Sequence, residues 1–305
     1  MSENLYSLYT TQFSANLEMK LQQTGSKFRG RISEGTHVGK QASPINQIGA
    51  IKARRPAGRF APKDRTDAGF TRRWVFPIDG EIDQLIDSFD ELKTIVDPKS
   101  AYVSNAASAI ARDWDDIIIA AATGTNYTGT EPGSLSAETF DTTAYRIADN
   151  FGSSAASGLT VAKIVELRRI LRHNHVDLES DPVTIFAGST QESDLLNQVQ
   201  VVSTEFNDRP VLTDGKVTRF LGFDIVYTER LPTYTTTTRG VLAIAKSGMY
   251  LGVWKDAINK VSTRNDLSGE PYDLYSQWSC GATRTQPGKV IQIACYDAAG
   301  ADITP

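Results

Sequence analysis

Residues 97–124, DPKSAYVSNAASAIARDWDDIIIAAATG, decide how the rest of the chain is read. Asp97 is a helix-capping residue, and Pro98 suits the first helical position, where its missing N–H leaves no bond unmade. Behind them Val103, Ala107, Ile110, Trp114, Ile117 and Ala121 recur in steps of four and three, which places them on one helical face. Gly124 closes the pattern. At 1.5 Å per residue the helix predicted over 98–123 is roughly 37 Å long, enough to serve as the backbone of a domain. Asp113, Asp115 and Asp116 surround Trp114. Carboxylates at that spacing read as a solvated or ion-paired face rather than a metal site.

Upstream of this helix the charges are sorted into two opposite blocks. Between Lys27 and Arg73 twelve cations meet only Glu34, Asp64 and Asp67, a net charge of +9. Among them are Arg54, Arg55, Arg59, Lys63, Arg65, Arg72 and Arg73. From residue 77 to residue 98 the sign reverses: Asp79, Glu81, Asp83, Asp87, Asp90, Glu91 and Asp97 oppose Lys93, a net of −6. A chain of formal net charge −4 gains little from such sorting if it acts alone. It gains much if the basic block of one copy lies on the acidic block of the next, because complementary patches steer encounter and fix register. The two blocks are therefore predicted to be intersubunit contacts, one on a basic hairpin and one on an acidic helix.

The hairpin reading comes from two β-prone runs, 47–53 and 70–78, flanking RRPAGRFAPKDRTDAG, a connector dense in Pro, Gly and charge. With roughly fourteen residues per limb at ~3.3 Å each, it would reach about 45 Å. A folded chain of this size has a radius of gyration of about 19 Å, so the hairpin would project and rest on a neighbour. Asp79 is expected to cap the acidic helix, with Ile82, Leu85, Ile86 and Phe89 as its apolar stripe. Residues 1–45, polar and without sustained period, read as an arm ordered by what it touches.

Downstream, residues 123–158 are rich in Thr, Gly and Ser and look irregular. A helix is expected over 160–172 and a strand over 183–187. Ser189 and Glu192 have capping-box spacing for a following helix. Further strands are expected at 198–202, 217–220, 223–228, 241–245 and 249–254, giving an α/β or α+β module. Residues 257–296 read as long strands with a turn at 286–289.

The remaining chemistry is sparse. The chain has 305 residues, 40% hydrophobic and 22% charged, ordinary for a globular protein with a sizeable core. No run of eighteen apolar residues is present, so no membrane partner is expected, and the first twenty residues lack the pattern of an export signal. Cys280 and Cys295 are expected to be reduced and buried. Residues 35–40, GTHVGK, fall one residue short of a phosphate loop, and Gln41 stands where Ser or Thr would hold magnesium. His173-Asn174-His175 reads as an exposed helix end rather than a nuclease motif. With His only at 37, 173 and 175 and no Gly-x-Ser-x-Gly, a catalytic triad is poorly supported. No catalytic residue, metal or cofactor is assigned. The basic block could neutralise phosphates, but aromatic interleaving is thin and the pI is near 5.5.

The order of parts resembles the tailed-bacteriophage major capsid proteins, which share the Hong Kong ninety-seven-type shell fold. Residues 111–124 resemble the end of that family's spine helix. Residues 214–225, DGKVTRFLGFDI, resemble the return of its axial module into strands. Gly281-Ala282-Thr283-Arg284, with Val290-Ile291-Gln292-Ile293 after it, resembles its closing peripheral strands. The resemblance implies an α+β fold. Its expected parts are an N-terminal arm (1–45), an extended β-hairpin (46–78), peripheral helices including the spine (79–124), an axial domain (125–255), and return strands with a tail (256–305). It implies self-assembly into hexamers and pentamers of an icosahedral shell, formed in the host bacterial cytoplasm and found in the virion. It further implies a separate scaffolding protein, a portal, an optional decoration protein, and double-stranded DNA held non-specifically on the inner face. A nanocompartment shell of the encapsulin kind, a soluble nucleic-acid-binding protein and an ordinary soluble enzyme stay open at this point.

Overall fold

A computed structural model describes residues 22–39, 45–55, 65–86, 99–129, 131, 134–198, 217–235, 237–268 and 270–297. They gather into two compact units. The smaller is drawn from Met1–Ser26, Asp79–Asp113 and Lys255–Ser279, the larger from Lys27–Ile78, Trp114–Trp254 and Cys280–Pro305.

Within the segment expected as an arm, Phe28 and Ile32 are buried in the larger unit, and Phe28 stacks on Phe186 with ring centres 3.8 Å apart. Strand β1 (Ser33–Thr36) follows. Strands β2 (Ile45–Ile48) and β3 (Phe70–Trp74) form the expected hairpin, antiparallel with Ile45 opposite Arg73 and Ile48 opposite Phe70. The Gly49 N–H extends the ladder to the Gly69 carbonyl at 2.7 Å. The hairpin tip, with Arg59 and Lys63, lies outside the described residues.

The acidic helix expected from Asp79 is instead a strand, β4 (Ile78–Ile86). Asp79, Glu81 and Asp83 fall on every second residue, a period of two that exposes all three on one face of a strand. Gly80 also lies flat against Trp278: a Cβ there would come within 2.4 Å of the indole. Phe89, Asp87, Asp90 and Glu91 lie outside the described residues.

The long helix is α1 (Lys99–Thr123), 25 residues. Ala106, Ile110, Trp114, Ile118 and Ala122 are buried in steps of four, with Ser108, Asp115 and Ile119 buried beside them, so the stripe is rotated from the expected one and Ala107 is exposed. The stretch expected to be irregular carries three short strands: β5 (Asn126–Thr128), β6 (Ser136–Glu138) and β7 (Arg146–Ile147). The first two extend the hairpin into a four-stranded sheet, β2-β3-β5-β6, so its base is not an isolated ribbon.

Helix α2 (Val161–His173) is capped by the Thr160 hydroxyl and buries Ile164, Leu167 and Leu171. It ends in a Schellman turn: His175 N–H donates to Arg172, Val176 N–H donates to Leu171, and His175 takes a left-handed φ of 58°. Lys163, also on α2, is fully buried. Its ammonium donates to the carbonyls of Asp149 (2.8 Å), Ser157 (2.7 Å), Gly158 (2.9 Å) and Ala294 (3.0 Å). Burial pulls its pKa below the ordinary lysine value, while the four oxygens hold the charged form.

Strand β8 (Val183–Ala187) leads into α3 (Ser189–Leu196). The cap of α3 is Gly188 rather than Ser189, and the Gln191 side chain, not Glu192, accepts the Gly188 N–H at 3.0 Å. Then come β9 (Arg219–Phe220), β10 (Phe223–Tyr227), β11 (Thr233–Thr235), β12 (Thr238–Ala245), β13 (Met249–Thr263), β14 (Tyr272–Arg284) and β15 (Val290–Tyr296). The strand expected over 198–202 falls almost entirely outside the described residues.

A seven-stranded sheet, β7-β15-β12-β8-β10-β9 with β11 on β12, forms the core of the larger unit. All five residues of β8 are buried, as are residues 290–295 of β15, because both faces of these central strands are covered. A second sheet runs β1-β13-β14-β4. Cys280 and Cys295 are buried and not joined in a disulfide, as expected.

Candidate functional site

The surface that sequence analysis marked is the basic hairpin, and its register explains which residues it presents. Phe70 and Arg72 alternate with Thr71 and Arg73 along β3, so the two arginines point to opposite faces. Arg72 is exposed beside Asn46, its partner in the ladder. Arg73 turns inward, its side chain 11% exposed, and forms an ion pair with Glu138 of β6. Arg54, Arg55 and Arg65 are exposed.

The base of the hairpin is locked. Gln47 donates to the Thr285 carbonyl at 2.9 Å, and the Trp74 indole donates to the Gly129 carbonyl at 3.0 Å. Arg284, fully buried, donates to the carbonyls of Ala122 (2.9 Å) and Gly124 (3.2 Å), satisfying the last turn of α1. Burial, reinforced by the like charge of Arg73, brings its pKa down to about 10. It stays protonated at neutral pH.

The feature that charge counting missed is apolar. Ile48 and Phe70 face each other across the ladder and are each 67% exposed, and Ile51 is 64% exposed. Two large side chains held together in solvent on the ladder, flanked by Arg72, make an exposed patch that is both greasy and basic. The signal was present in the alternation of residues 45–48, which puts Ile48 on the face opposite Ile45.

In the smaller unit the acids of β4 are held as follows. Glu81 accepts from the Tyr275 hydroxyl at 3.0 Å. Asp83 is hydrogen-bonded to the Asp273 carboxyl, which raises its pKa, with desolvation adding to the rise. Asp79 is exposed.

The three aspartates around Trp114 all have partners. Asp113 accepts from the Trp278 indole at 2.8 Å, Asp115 is buried and accepts the Lys27 N–H at 2.9 Å, and Asp116 forms a two-pronged ion pair with Arg230. Among the described residues no cluster of His, Cys, Asp and Glu could hold a metal ion, and no helix is long and apolar enough to cross a membrane. His173 and His175 are exposed at the end of α2.

Residues 6–297 match the phage capsid protein family. No curated protein matches the chain in sequence. Several solved capsids share its fold. The capsid of the cyanophage P-SCSP1u superposes with a TM-score of 0.72 at 14% identity, covering 98% of this chain and 97% of that one. The protein of Mycobacterium phage Che8 gives 0.66 at 16% identity, covering 93% and 97%. The capsid of a native GTA particle gives 0.70 at 11% identity, covering 97% and 98%.

Proposed function

The chain belongs to the phage capsid protein family, and from that premise we propose that it is a structural, non-enzymatic subunit that closes into an icosahedral shell as hexamers and pentamers. The hairpin lies on the neighbouring subunit, with Arg54, Arg55, Arg59, Lys63, Arg65 and Arg72 toward the neighbour's Asp79, Glu81, Asp83, Asp87, Asp90 and Glu91. Arg73 secures the hairpin's base instead. The observation that carries this reading is the exposed Ile48–Phe70 pair. Exposed ion pairs are worth only about 0–1 kcal/mol each, so the buried apolar pair supplies affinity and the charges set register. Many such contacts add through valency.

The central residues 125–255 gather around the capsomer axes. Residues 79–124 and 256–289 form the periphery, strand β15 completes the sheet of the central residues, and the arm ahead of Phe28 ties capsomers together. A separate scaffolding protein, a portal and an optional decoration protein complete the particle, which forms in the bacterial cytoplasm around double-stranded DNA.

The test is to express the chain alone and with candidate scaffold, and to read size by light scattering and shape by negative-stain electron microscopy. Rings, tubes or shells are expected from the wild type, and only folded, unassembled subunits from a triple charge reversal at Arg54, Arg55 and Arg59. Normal shells from that variant would overturn hairpin docking.

A further inference from the structure

Among the described residues, the outer edge of β13 is paired only in part. Strand β1 runs parallel to it over Tyr250–Val253, and the His37 N–H closes the ladder on the Val253 carbonyl at 2.9 Å. Among the described residues, no strand lies on this edge from Lys255 to Thr263. Residues 256–261 are exposed on both faces, with Ile258 at 51% and Val261 at 47%.

Backbone parity fixes which groups point outward. The Val253 carbonyl faces β1, so the N–H and C=O groups of residues 255, 257, 259, 261 and 263 face the same open side. Two hydrogen bonds agree: the Ala257 N–H turns to the carboxylate of Asp256, the preceding residue of the same chain, at 2.9 Å, a bond that a seam here would exchange, and the Arg264 N–H turns the other way, to the Pro271 carbonyl. A nine-residue row of alternate donors and acceptors is a template for another strand.

The sequence along that row, KDAINKVST, is self-complementary in one register. With an antiparallel copy centred on Ile258, Ile258 meets Ile258, and Asp256 meets Lys260 on both sides of the centre. These are non-hydrogen-bonded pairs, where Cα atoms are about 4.5 Å apart and side chains are closest. The outward-facing groups fall opposite one another, 257 with 259 and 255 with 261, so every ladder bond can form.

We infer that this edge pairs, across a two-fold axis, with the same edge of a second copy. The contact rests on the reading of the chain as a self-assembling subunit and adds an isologous seam distinct from the hairpin contact. It is too small to hold a free dimer, so it belongs to the assembled particle.

The test is site-directed disulfide trapping in assembled full-length protein. The spacing at the two-fold suits a disulfide, and the native thiols are buried. Ile258→Cys should give a covalent dimer as the main band on a non-reducing gel, whereas Val261→Cys should stay monomeric. Adding Lys260→Asp should cut the Ile258→Cys dimer at least tenfold, and adding Asp256→Lys as well should restore it. Shells in which Ile258→Cys stays monomeric would overturn the seam while leaving the capsid reading intact, as would dimer yields indifferent to the charge changes. Occupancy of the edge by residues 1–21 of the same chain would give that monomeric outcome. A chain that never associates would fail both readings.

Discussion

Asp297 is held by donors from three places: Gln191 at 3.0 Å, Arg239 at 2.7 Å and the Thr190 hydroxyl. Burial alone would push its pKa up, but these bonds hold it below the reference 3.8. Arg239 also pairs with Glu229 at 2.6 Å. For Glu229, burial is again outweighed, here by the Ser189 and Arg239 bonds, and the pKa falls below 4.5. Both groups bind protons more weakly folded than unfolded. Their stabilisation is therefore complete above the unfolded values and is lost as pH falls through the folded ones. Urea unfolding of wild-type subunits should show stability level from pH 7 to about 5 and falling below about 4. Arg239→Met should lower stability at pH 7 by on the order of 1–3 kcal/mol and flatten that acid slope. An unchanged slope would refute the assignment. None of this was legible in the sequence, since Arg239 and Asp297 are 58 positions apart with no local pattern joining them.

Among the elements, long regular patterns were legible and short acidic ones were not. Helix α1 and strand β8 match their expected spans because sustained periodicity and five consecutive buried apolar residues leave little choice. Strand β4 was misread because Ile82, Leu85 and Ile86 also fit a helical stripe. What decides is tertiary: Gly80 accommodates Trp278, which is 6% exposed. Gly80→Val separates the two influences by sign. On strand propensity alone valine would stabilise β4, but against the indole it should cost about 1–3 kcal/mol by overpacking. Thermal unfolding gives the answer, and a raised melting temperature would mean that Trp278 does not pack there. The hairpin was legible from its turn-rich connector, whereas its anchorage to β5 and β6 was hidden in a Thr- and Gly-rich stretch of low periodicity.

For the whole molecule, the opposed charge blocks and the order of parts were enough to point to a shell subunit, while the apolar surface emerged only from register. The thiols report on the integrity of the fold. Both are fully buried and so shielded from reagents in solvent, and burial pushes the Cys295 pKa up to about 12. A thiol reagent should label none in native protein and both in urea. Rapid labelling of native subunits would show that the core opens locally. Lys163 bears on when that core can first close. Three of its four carbonyl partners lie within fourteen positions of it, but the fourth, Ala294, lies 131 residues downstream. While a ribosome is still extending the chain, the ammonium has no strand β15 to complete its coordination, so burying it remains unfavourable. The last of the four contacts around this ammonium is therefore made only after β15 has been synthesised.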